Sequence, residues 1–217
     1  EGLADVQPIA TPTALNTAYQ EVMLWNGQFG NQLDGIINSD IDDSILITEG
    51  TPKAANQFGL SGLETQVIAG VGVHRLDVSE TSILRTNASY IELFKLAFPD
   101  GFDDLLMAAS KAVAAYERSI LANNSPFQMW LQGQNVSMGH AEIEGAKVFF
   151  GKAGCSNCHT GPALSSPIGA TEDEMFMSVG FGDLDYNNDI IGNIGESVRL
   201  GRGGFTQDAS DNFKFKI

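Results

Sequence analysis

The sequence predicts a mainly α-helical protein with long irregular loops and no disulfide framework, and three observations lead to this expectation. Residues 102–122 carry apolar side chains at the i, i+3 and i+4 spacing of an amphipathic helix. Gly, Asn, Asp and Ser cluster between the helical segments, which is typical of turns and loops. The two cysteines, Cys155 and Cys158, lie three positions apart, so a disulfide framework does not hold the chain together.

The N-terminal half is predicted to combine short helices with one long loop. An extended start leads into a short helix near Thr13. Residues 25–62 are rich in Gly, Asn, Asp and Ser, which predicts an irregular loop region. Helical spacing of apolar residues then predicts helices over 62–71 and 79–96, and Pro99 follows the end of the second one.

The C-terminal half is predicted to contain the best-defined helix, over residues 102–122. Ser137 is expected to cap a further helix that runs to Phe150 and delivers the cysteines. After His159 no helix of similar length is expected, and the alternation in residues 212–217 indicates an extended segment. The apolar stripe of the 102–122 helix consists of Leu105, Leu106, Ala109, Ala112, Val113, Tyr116, Ile120 and Leu121.

The composition favours a folded chain that does not bind nucleic acid or span a membrane. With 43% hydrophobic and 18% charged residues, its 217 residues are enough for one large or two small domains. A net charge of −15 leaves no basic stripe for phosphates or for anionic membranes, although a basic protein partner remains compatible with it. No apolar run approaches the roughly 20 residues of a membrane-spanning helix.

The segment Cys155-Ser156-Asn157-Cys158-His159 matches the C-x-x-C-H pattern of covalent c-type haem attachment. The two intervening residues let both sulfurs reach one porphyrin, where each forms a thioether with a vinyl group. The adjacent His159 then reaches the iron, for which a neutral imidazole is a good ligand. The motif therefore predicts haem c bound by Cys155 and Cys158, with His159 as the metal ligand.

Three other interpretations of the cysteine pair are weaker on the same residues. A redox dithiol normally lies in a βαβ unit, which the helical pattern does not provide. A zinc site needs four ligands. The sequence has no second cysteine pair, so both His74 and His140 would have to join Cys155 and Cys158. Coincidence is the third. The second axial ligand stays open, and its candidates are Met23, Met107, Met129, Met138, Met175, Met177, His74 and His140.

Short motifs spread along nearly the whole chain point to one family. They are residues 11–16 (TPTALN), 24–28 (LWNGQ), 115–119 (AYERS), 124–127 (NSPF), 144–154 (EGAKVFFGKAG), 159–162 (HTGP), 200–202 (LGR) and 213–216 (FKFK). With the C-x-x-C-H motif they resemble the bacterial di-haem cytochrome c peroxidases and their MauG-like relatives. The resemblance implies a fold of cytochrome c-like domains.

The resemblance also implies a domain division. Residues 1–100 correspond to part of the first, peroxidatic-side cytochrome c-like domain, with a long loop insertion. Residues 101–217 correspond to the second cytochrome c-like domain, which carries the haem on His159. The family's first C-x-x-C-H motif is expected before residue 1 and the distal ligand of the second haem after residue 217. The chain is thus expected to be a fragment of a protein that carries a second haem c.

The function implied by the resemblance is that of a periplasmic or otherwise extracytoplasmic oxidoreductase of the cytochrome c peroxidase type. A small electron-donor protein, a cytochrome c or a cupredoxin, supplies electrons through the haem on His159, and hydrogen peroxide is reduced to water. Trp25 matches a tryptophan between the two haems, which implies a role in electron transfer; a buried structural Trp is the alternative. A homodimer is compatible with this picture. The rival functions are a MauG-like oxidase of a protein or organic substrate and a non-catalytic electron-transfer cytochrome.

The peroxide-handling residues match the family only in part. The family places a Gln and, further along the chain, a Glu over the peroxidatic haem; Gln66 fits the first, but residues 70–77 contain no Glu. Since peroxide cleavage needs an acid–base group, our hypothesis is that His74 serves instead, with Arg75 supplying charge. The family's calcium-binding Asn aligns with Ala10, and its other calcium ligands fall beyond residue 217, so the resemblance gives little support for calcium.

Overall fold

The computed structural model describes residues 12–30, 60–74, 77–161, 163–180 and 196–217. These residues are mainly helical, as predicted, with one small antiparallel sheet among them. Within the described ranges, no helix has both the length and the apolar character needed to cross a bilayer. The helices are α1 (Gly62–His74), α2 (Ile83–Thr86), α3 (Ala88–Ala97), α4 (Leu105–Ser119), α5 (Pro126–Leu131), α6 (His140–Phe150), α7 (Glu172–Met175), α8 (Glu196–Arg199) and α9 (Arg202–Thr206).

The start of the described chain is tied to the end of α4. Asn16 adopts a left-handed backbone conformation (φ 63°), which Asn tolerates better than most residues. Its N–H donates to the Ile120 carbonyl at 2.9 Å, and its side-chain oxygen accepts from the Ala122 N–H at 2.8 Å. A short 3₁₀ helix, Thr17–Tyr19, follows. The helix predicted near Thr13 therefore begins four residues later, because Asn16 interrupts helical geometry.

Two buried clusters meet at the neighbouring residues Val22 and Met23. Val22 packs with three residues of the C-terminal third of the chain, Ala170, Met175 and Phe176. Met23 belongs to the other cluster, with Phe29, Leu63 and Ala114. Val22 and Met23 are adjacent in the chain but belong to different clusters, so this short segment links the two clusters.

The helix predicted over 102–122 is confirmed as α4, but its buried face differs from the predicted stripe. Leu105, Ala108, Ser110 and Ala114 are buried, while Val113 and Tyr116 are exposed. Small side chains on this face let α1 approach α4 closely, and this close packing excludes the larger residues of the stripe. A helical period alone did not identify which face the neighbouring helix covers.

The segment predicted as one helix over 79–96 forms two helices, α2 and α3, that meet at Asn87. Asn87 ends α2, and its side chain accepts a 2.9 Å hydrogen bond from Ser89 N–H at the start of α3. An Asn at this position favours a new helix start over continuation. Beyond α3, three phenylalanine rings pack together with centroids 5.4–6.1 Å apart: Phe94, Phe98 and Phe102.

The C-terminal segment predicted to be extended forms strand β2, Lys214–Lys216, which pairs antiparallel with β1, Phe176–Ser178. The absence of a long helix after His159 is confirmed for the described residues, where α7, α8 and α9 span five residues or fewer. The helix predicted from Ser137 is confirmed as α6, but Gly139 is its N-cap residue. Gly139 N–H donates to the Glu142 carboxylate, which fixes the start of the helix.

Candidate functional site

Cys155, Cys158 and His159 lie on one compact turn after α6. Cys155–Asn157 forms a 3₁₀ helix, and the carbonyl of Cys155 accepts from the N–H groups of Cys158 at 3.2 Å and of His159 at 3.0 Å. Both cysteines are half-buried free thiols, and His159 is exposed. The local backbone bonds thus hold two thiols and one imidazole within five consecutive residues.

The imidazole of His159 is held by a backbone carbonyl from the loop that follows it. Its Nδ1 lies 2.7 Å from the carbonyl oxygen of Leu164. A carbonyl only accepts, so this contact requires Nδ1 to carry the proton and to donate it. The other ring nitrogen, Nε2, is then the one with a lone pair for a metal ion.

The loop that supplies this carbonyl, here called the His159 loop, consists of Gly161 and residues 163–166. Gly161 N–H donates to the Ser165 carbonyl at 2.7 Å, and Leu164 N–H donates to the Gly161 carbonyl at 2.8 Å. A Cβ atom on residue 161 would lie 2.1 Å from the Ser165 oxygen, so this close approach requires glycine. Leu164 itself adopts φ 57°, an uncommon conformation for a leucine. The loop is therefore closed by its own hydrogen bonds.

A continuous series of aromatic rings surrounds the imidazole on one side. The Phe149 ring centroid lies 5.8 Å from that of His159 and 5.0 Å from that of Phe150. Phe150 stacks with Phe127 at 5.9 Å, and Phe127 stacks with Trp130 at 6.2 Å. α5 and α6 thus place an apolar surface next to the His159 imidazole, which suits the apolar face of a porphyrin.

The donor set at this turn fits a c-type haem. Two half-buried thiols, one imidazole with its Nδ1 already bonded, and an adjacent apolar surface are the protein groups that such a haem uses. Within the described ranges, no three His, Cys, Asp or Glu side chains converge into a site that holds a metal ion by themselves. A haem iron needs only axial ligands from the protein, so a single imidazole is sufficient on this side.

Trp25 is linked to the His159 loop through the end of the chain. Its ring packs on Phe215, with centroids 5.0 Å apart, and its carbonyl accepts from Lys216 N–H at 2.6 Å. The next residue, Ile217, accepts a 3.2 Å hydrogen bond from Ser166 N–H in the His159 loop. Trp25 is thereby connected to the His159 loop through Lys216 and Ile217 at the end of β2.

Gln66 and His74 both lie on α1, one in its first half and one at its end. Gln66 is half-buried, and the side chain of His74 lies outside the described part, as does Arg75. Leu63 at the start of α1 packs with Met23, two residues before Trp25. The helix that carries Gln66 is therefore adjacent to the segment that carries Trp25.

Two of the methionines considered as the second axial ligand belong to the core. Met23 is 2% exposed and Met175 is 4% exposed, each within one of the two buried clusters. Met177 lies on β1 and is half-buried. Core packing accounts for Met23 and Met175 without a ligand role.

Several groups at the site had not been singled out by the sequence patterns. The Leu164 carbonyl carries no side-chain signature, and Phe149 was noted only as part of a motif. Arg202 and Lys216 lie in two of the family-like motifs, which marked their positions but not their contacts. The contacts of Arg202 and Lys216 join residues far apart in sequence, so local pattern does not reveal them. The Leu164 carbonyl lies only five residues from His159, but every residue has a backbone carbonyl, so no residue type indicates it.

Comparisons with known proteins identify the family of the chain. A sequence model of the family described as di-haem cytochrome c peroxidase matches residues 2–136. The chain is 33% identical over 170 residues to the cytochrome-c peroxidase IdrP1 of Denitromonas iodatirespirans, a match that covers 77% of this chain and 36% of that protein.

Other relatives carry two different functional names. The cytochrome c551 peroxidase of Pseudomonas aeruginosa is 24% identical over 162 residues, which cover 71% of this chain and 37% of that protein. The methylamine utilization protein MauG of Methylophilus methylotrophus is 26% identical over 178 residues, which cover 81% of this chain and 42% of that protein. The chain therefore spans less than half the length of each of these relatives.

Proposed function

Because this chain belongs to the di-haem cytochrome c peroxidase family, we propose that it binds haem c through Cys155 and Cys158 and holds the haem iron with Nε2 of His159. Each thiol adds across one vinyl group of the haem, so the two thioether bonds need no external oxidant. The observation that carries the proposal is the 2.7 Å contact between His159 Nδ1 and the Leu164 carbonyl. This contact selects the tautomer in which Nε2 is free to bind a metal.

The protein groups around His159 have three tasks in this proposal. When bound, the haem supplies an iron centre that gains and loses single electrons. The Leu164 carbonyl orients the imidazole and increases its basicity. Phe149 packs beside the imidazole ring and forms an apolar surface with Phe150 and Phe127, against which the apolar face of the haem would lie.

The activity we propose is reduction of hydrogen peroxide to water by the full-length protein, in the periplasm or another extracytoplasmic compartment. Two electrons come from a small donor protein, a cytochrome c or a cupredoxin, and two protons complete the two water molecules. The full-length protein carries a second haem c, and Trp25 lies on the path between the two haems. Gln66 and His74 are the proposed polar groups at the peroxide side, where His74 supplies the acid–base group.

A MauG-like oxidase of a protein or organic substrate is the second candidate. Residues 70–77 lack the Glu that acts in the family as an acid–base group near the distal oxygen of peroxide. Its absence favours the oxidase. The similarity to MauG from Methylophilus methylotrophus is of the same order as the similarity to the peroxidases. A tyrosine as a second protein ligand of the iron would favour this candidate, whereas a methionine would favour the peroxidase or a non-catalytic electron carrier.

The haem assignment is tested on the purified full-length protein, produced in a host that matures c-type cytochromes. After denaturation the haem is expected to stay on the polypeptide and to give a c-type pyridine haemochrome spectrum. The Cys155→Ala/Cys158→Ala variant should lose the haem attached in this region, with one haem fewer per chain. An unchanged haem content in that double variant contradicts the proposal.

The activity is tested separately, by steady-state consumption of peroxide with a reduced cytochrome c or cupredoxin as donor. Turnover that falls in Gln66→Ala and in His74→Gln supports the peroxidase and the two assigned roles. Full turnover in His74→Gln contradicts the role of His74. A protein that binds haem and exchanges electrons with the donor, yet consumes no peroxide, is an electron carrier or an oxidase of another substrate.

A further inference from the structure

Trp25 is fixed by residues from the far end of the chain. The segment concerned, here called the Trp25 segment, is residues 20–27. On one side, the Phe215 ring packs against the indole with centroids 5.0 Å apart, and Lys216 N–H donates to the Trp25 carbonyl at 2.6 Å. The position of Trp25 therefore depends on β2, which lies about 190 residues away in sequence.

The Lys216 side chain holds the same segment at two more points. Its Nζ donates to the side-chain oxygen of Gln20 at 2.7 Å and to the Val22 carbonyl at 2.9 Å. With its backbone N–H on Trp25, this one residue bonds to the Trp25 segment three times. Both Nζ acceptors are uncharged, and burial lowers the pKa of Lys216 to about 8.

Arg202 holds the other end of the Trp25 segment. Its Nη1 donates to the carbonyls of Asn26 at 3.1 Å and Gly27 at 3.4 Å, and its guanidinium lies over the Phe176 ring at 4.5 Å. Gly27 adopts φ 69°, and a Cβ atom there would lie 2.3 Å from the Phe176 ring. The end of the segment is therefore tightly enclosed, and Arg202 forms an ion pair with Glu172 that compensates its charge.

Lys216 differs from Arg202 in one respect that suggests a specific role. Arg202 is buried with a carboxylate partner, whereas the Nζ hydrogen bonds of Lys216 go to neutral oxygens. Burying an ammonium group against neutral oxygens makes the folded state less stable than an apolar residue at the same position would. The lysine side chain is long, however, and its ammonium group has three N–H donors. It can therefore bridge Gln20 and Val22 while the backbone N–H of Lys216 bonds to Trp25.

We propose that Lys216 is a positioning residue for Trp25, which it holds in place by bonding Gln20, Val22 and Trp25 at once. The inference rests on the proposed role of Trp25 in electron transfer between the two haems. An aromatic ring on such a path acts only if its distance and orientation are fixed, and small displacements of functional groups have large kinetic effects. Lys216 is thus expected to affect electron transfer without contacting either haem.

The test uses the full-length haem protein labelled with 5-fluorotryptophan, in which Trp25→Phe identifies the Trp25 fluorine resonance. Lys216→Met removes the Nζ bonds and keeps the length of the side chain, and Lys216→Arg keeps charge and donors. Lys214→Met is the matched control on the same strand, because the ammonium of Lys214 pairs with Asp211 and Asp173 instead. Lys216→Gln is the second variant if Lys216→Met does not fold.

In Lys216→Met, the Trp25 resonance is expected to shift or broaden, and the electron-transfer rate between the haems is expected to fall on the order of tenfold. Lys216→Arg should restore both, and Lys214→Met should change neither. A Trp25 resonance in Lys216→Met that coincides with the wild-type resonance overturns the proposal. A shifted resonance with an unchanged electron-transfer rate supports positioning by Lys216 and contradicts the proposed role of Trp25.

Discussion

The Nδ1 atom of His159 lies 2.7 Å from the carbonyl oxygen of Leu164, and Leu164 adopts a left-handed backbone conformation with φ 57°. Proline cannot adopt this φ and lacks the N–H that Leu164 donates to Gly161. In Leu164→Pro the imidazole should therefore lose its acceptor and become less basic. The midpoint potential of the attached haem should rise by on the order of tens of millivolts, measured by spectroelectrochemistry.

Leu164→Asn is the control for this prediction, because Asn tolerates the left-handed conformation and keeps both the N–H and the carbonyl. Its midpoint potential should stay close to that of the wild type. The haem content of each variant is measured first. Leu164 is not part of the proposed thioether attachment through Cys155 and Cys158, so both variants are expected to carry the haem. An unchanged potential in Leu164→Pro would show that the carbonyl does not tune His159.

The buried ion pair of Arg202 and Glu172 predicts a large effect on stability. The Arg202 side chain is 1% exposed and that of Glu172 is 33% exposed. Glu172 Oε1 accepts from Arg202 Nε at 2.9 Å and lies 2.9 Å from Nη2 in the ion pair. Glu172→Gln leaves the guanidinium buried without a full counter-charge and should lower the free energy of unfolding by roughly 3 kcal/mol. Urea denaturation of the haem protein measures this change.

The neighbouring carboxylate supplies the control. Asp173 is 93% exposed and lies 3.8 Å from the Lys214 ammonium, so Asp173→Asn should change the free energy of unfolding by less than about 0.5 kcal/mol. Equal losses in the two variants would contradict the distinction between a buried pair and an exposed pair.

The pair of Arg118 and Glu64 joins α4 to α1 and should also stabilise the fold. Arg118 Nη1 and Nη2 donate to the two carboxylate oxygens of Glu64 at 2.5 and 2.7 Å, and these hydrogen bonds raise the pKa of Arg118. The Glu64 side chain is only 11% exposed. Arg118→Met should lower the free energy of unfolding by roughly 2 kcal/mol, because among the described residues Glu64 then keeps only the hydroxyl of Ser61 as a side-chain partner.

Lys147→Met is the matched control for Arg118→Met in the same denaturation experiment. Lys147 pairs with Glu144 on α6 at 2.7 Å, but the two side chains are 67% and 50% exposed. Its loss should change the free energy of unfolding by less than about 0.5 kcal/mol. A double variant that also carries Glu64→Met should recover part of the loss caused by Arg118→Met, since no buried carboxylate then remains unpaired.

Lys216 predicts a rise of stability with pH. Burial lowers its pKa from 10.5 to about 8, so between these values the unfolded chain binds a proton that the folded chain has released. Stability rises with pH wherever the unfolded state binds more protons, so the penalty for burying the ammonium is present below pH 8 and is relieved toward pH 10.5.

Lys216→Met has no such group and isolates the effect from other titrations. The wild type should gain up to about 3 kcal/mol of unfolding free energy relative to Lys216→Met as the pH rises through this window. The comparison is made by urea denaturation at intervals between pH 7 and about pH 10. Parallel pH profiles for the two proteins would contradict the assignment of a buried, partly desolvated ammonium.

Local chemistry determined much of this protein from sequence alone. The C-x-x-C-H motif predicted Cys155, Cys158 and His159 as the attachment site, because c-type attachment requires these residue types at this spacing. Helical periodicity predicted α4 and the mainly α-helical class, since these depend on spacing within one segment. The family-like motifs also predicted the family to which the chain belongs.

Tertiary structure alone decided which groups support these residues. The buried face of α4 was set by close packing against α1, which selects Ala108 and Ala114 over larger neighbours. The acceptor for His159 is a backbone carbonyl, which every residue possesses and which no residue type indicates. Arg202, which is buried, and Lys216, which is partly buried, are of types usually found at the surface, and they bond to partners 175 and 194 residues away in sequence. The sequence thus predicted the attachment chemistry, while the folded backbone decided the local contact that orients His159 and long-range packing decided the contacts that hold Trp25.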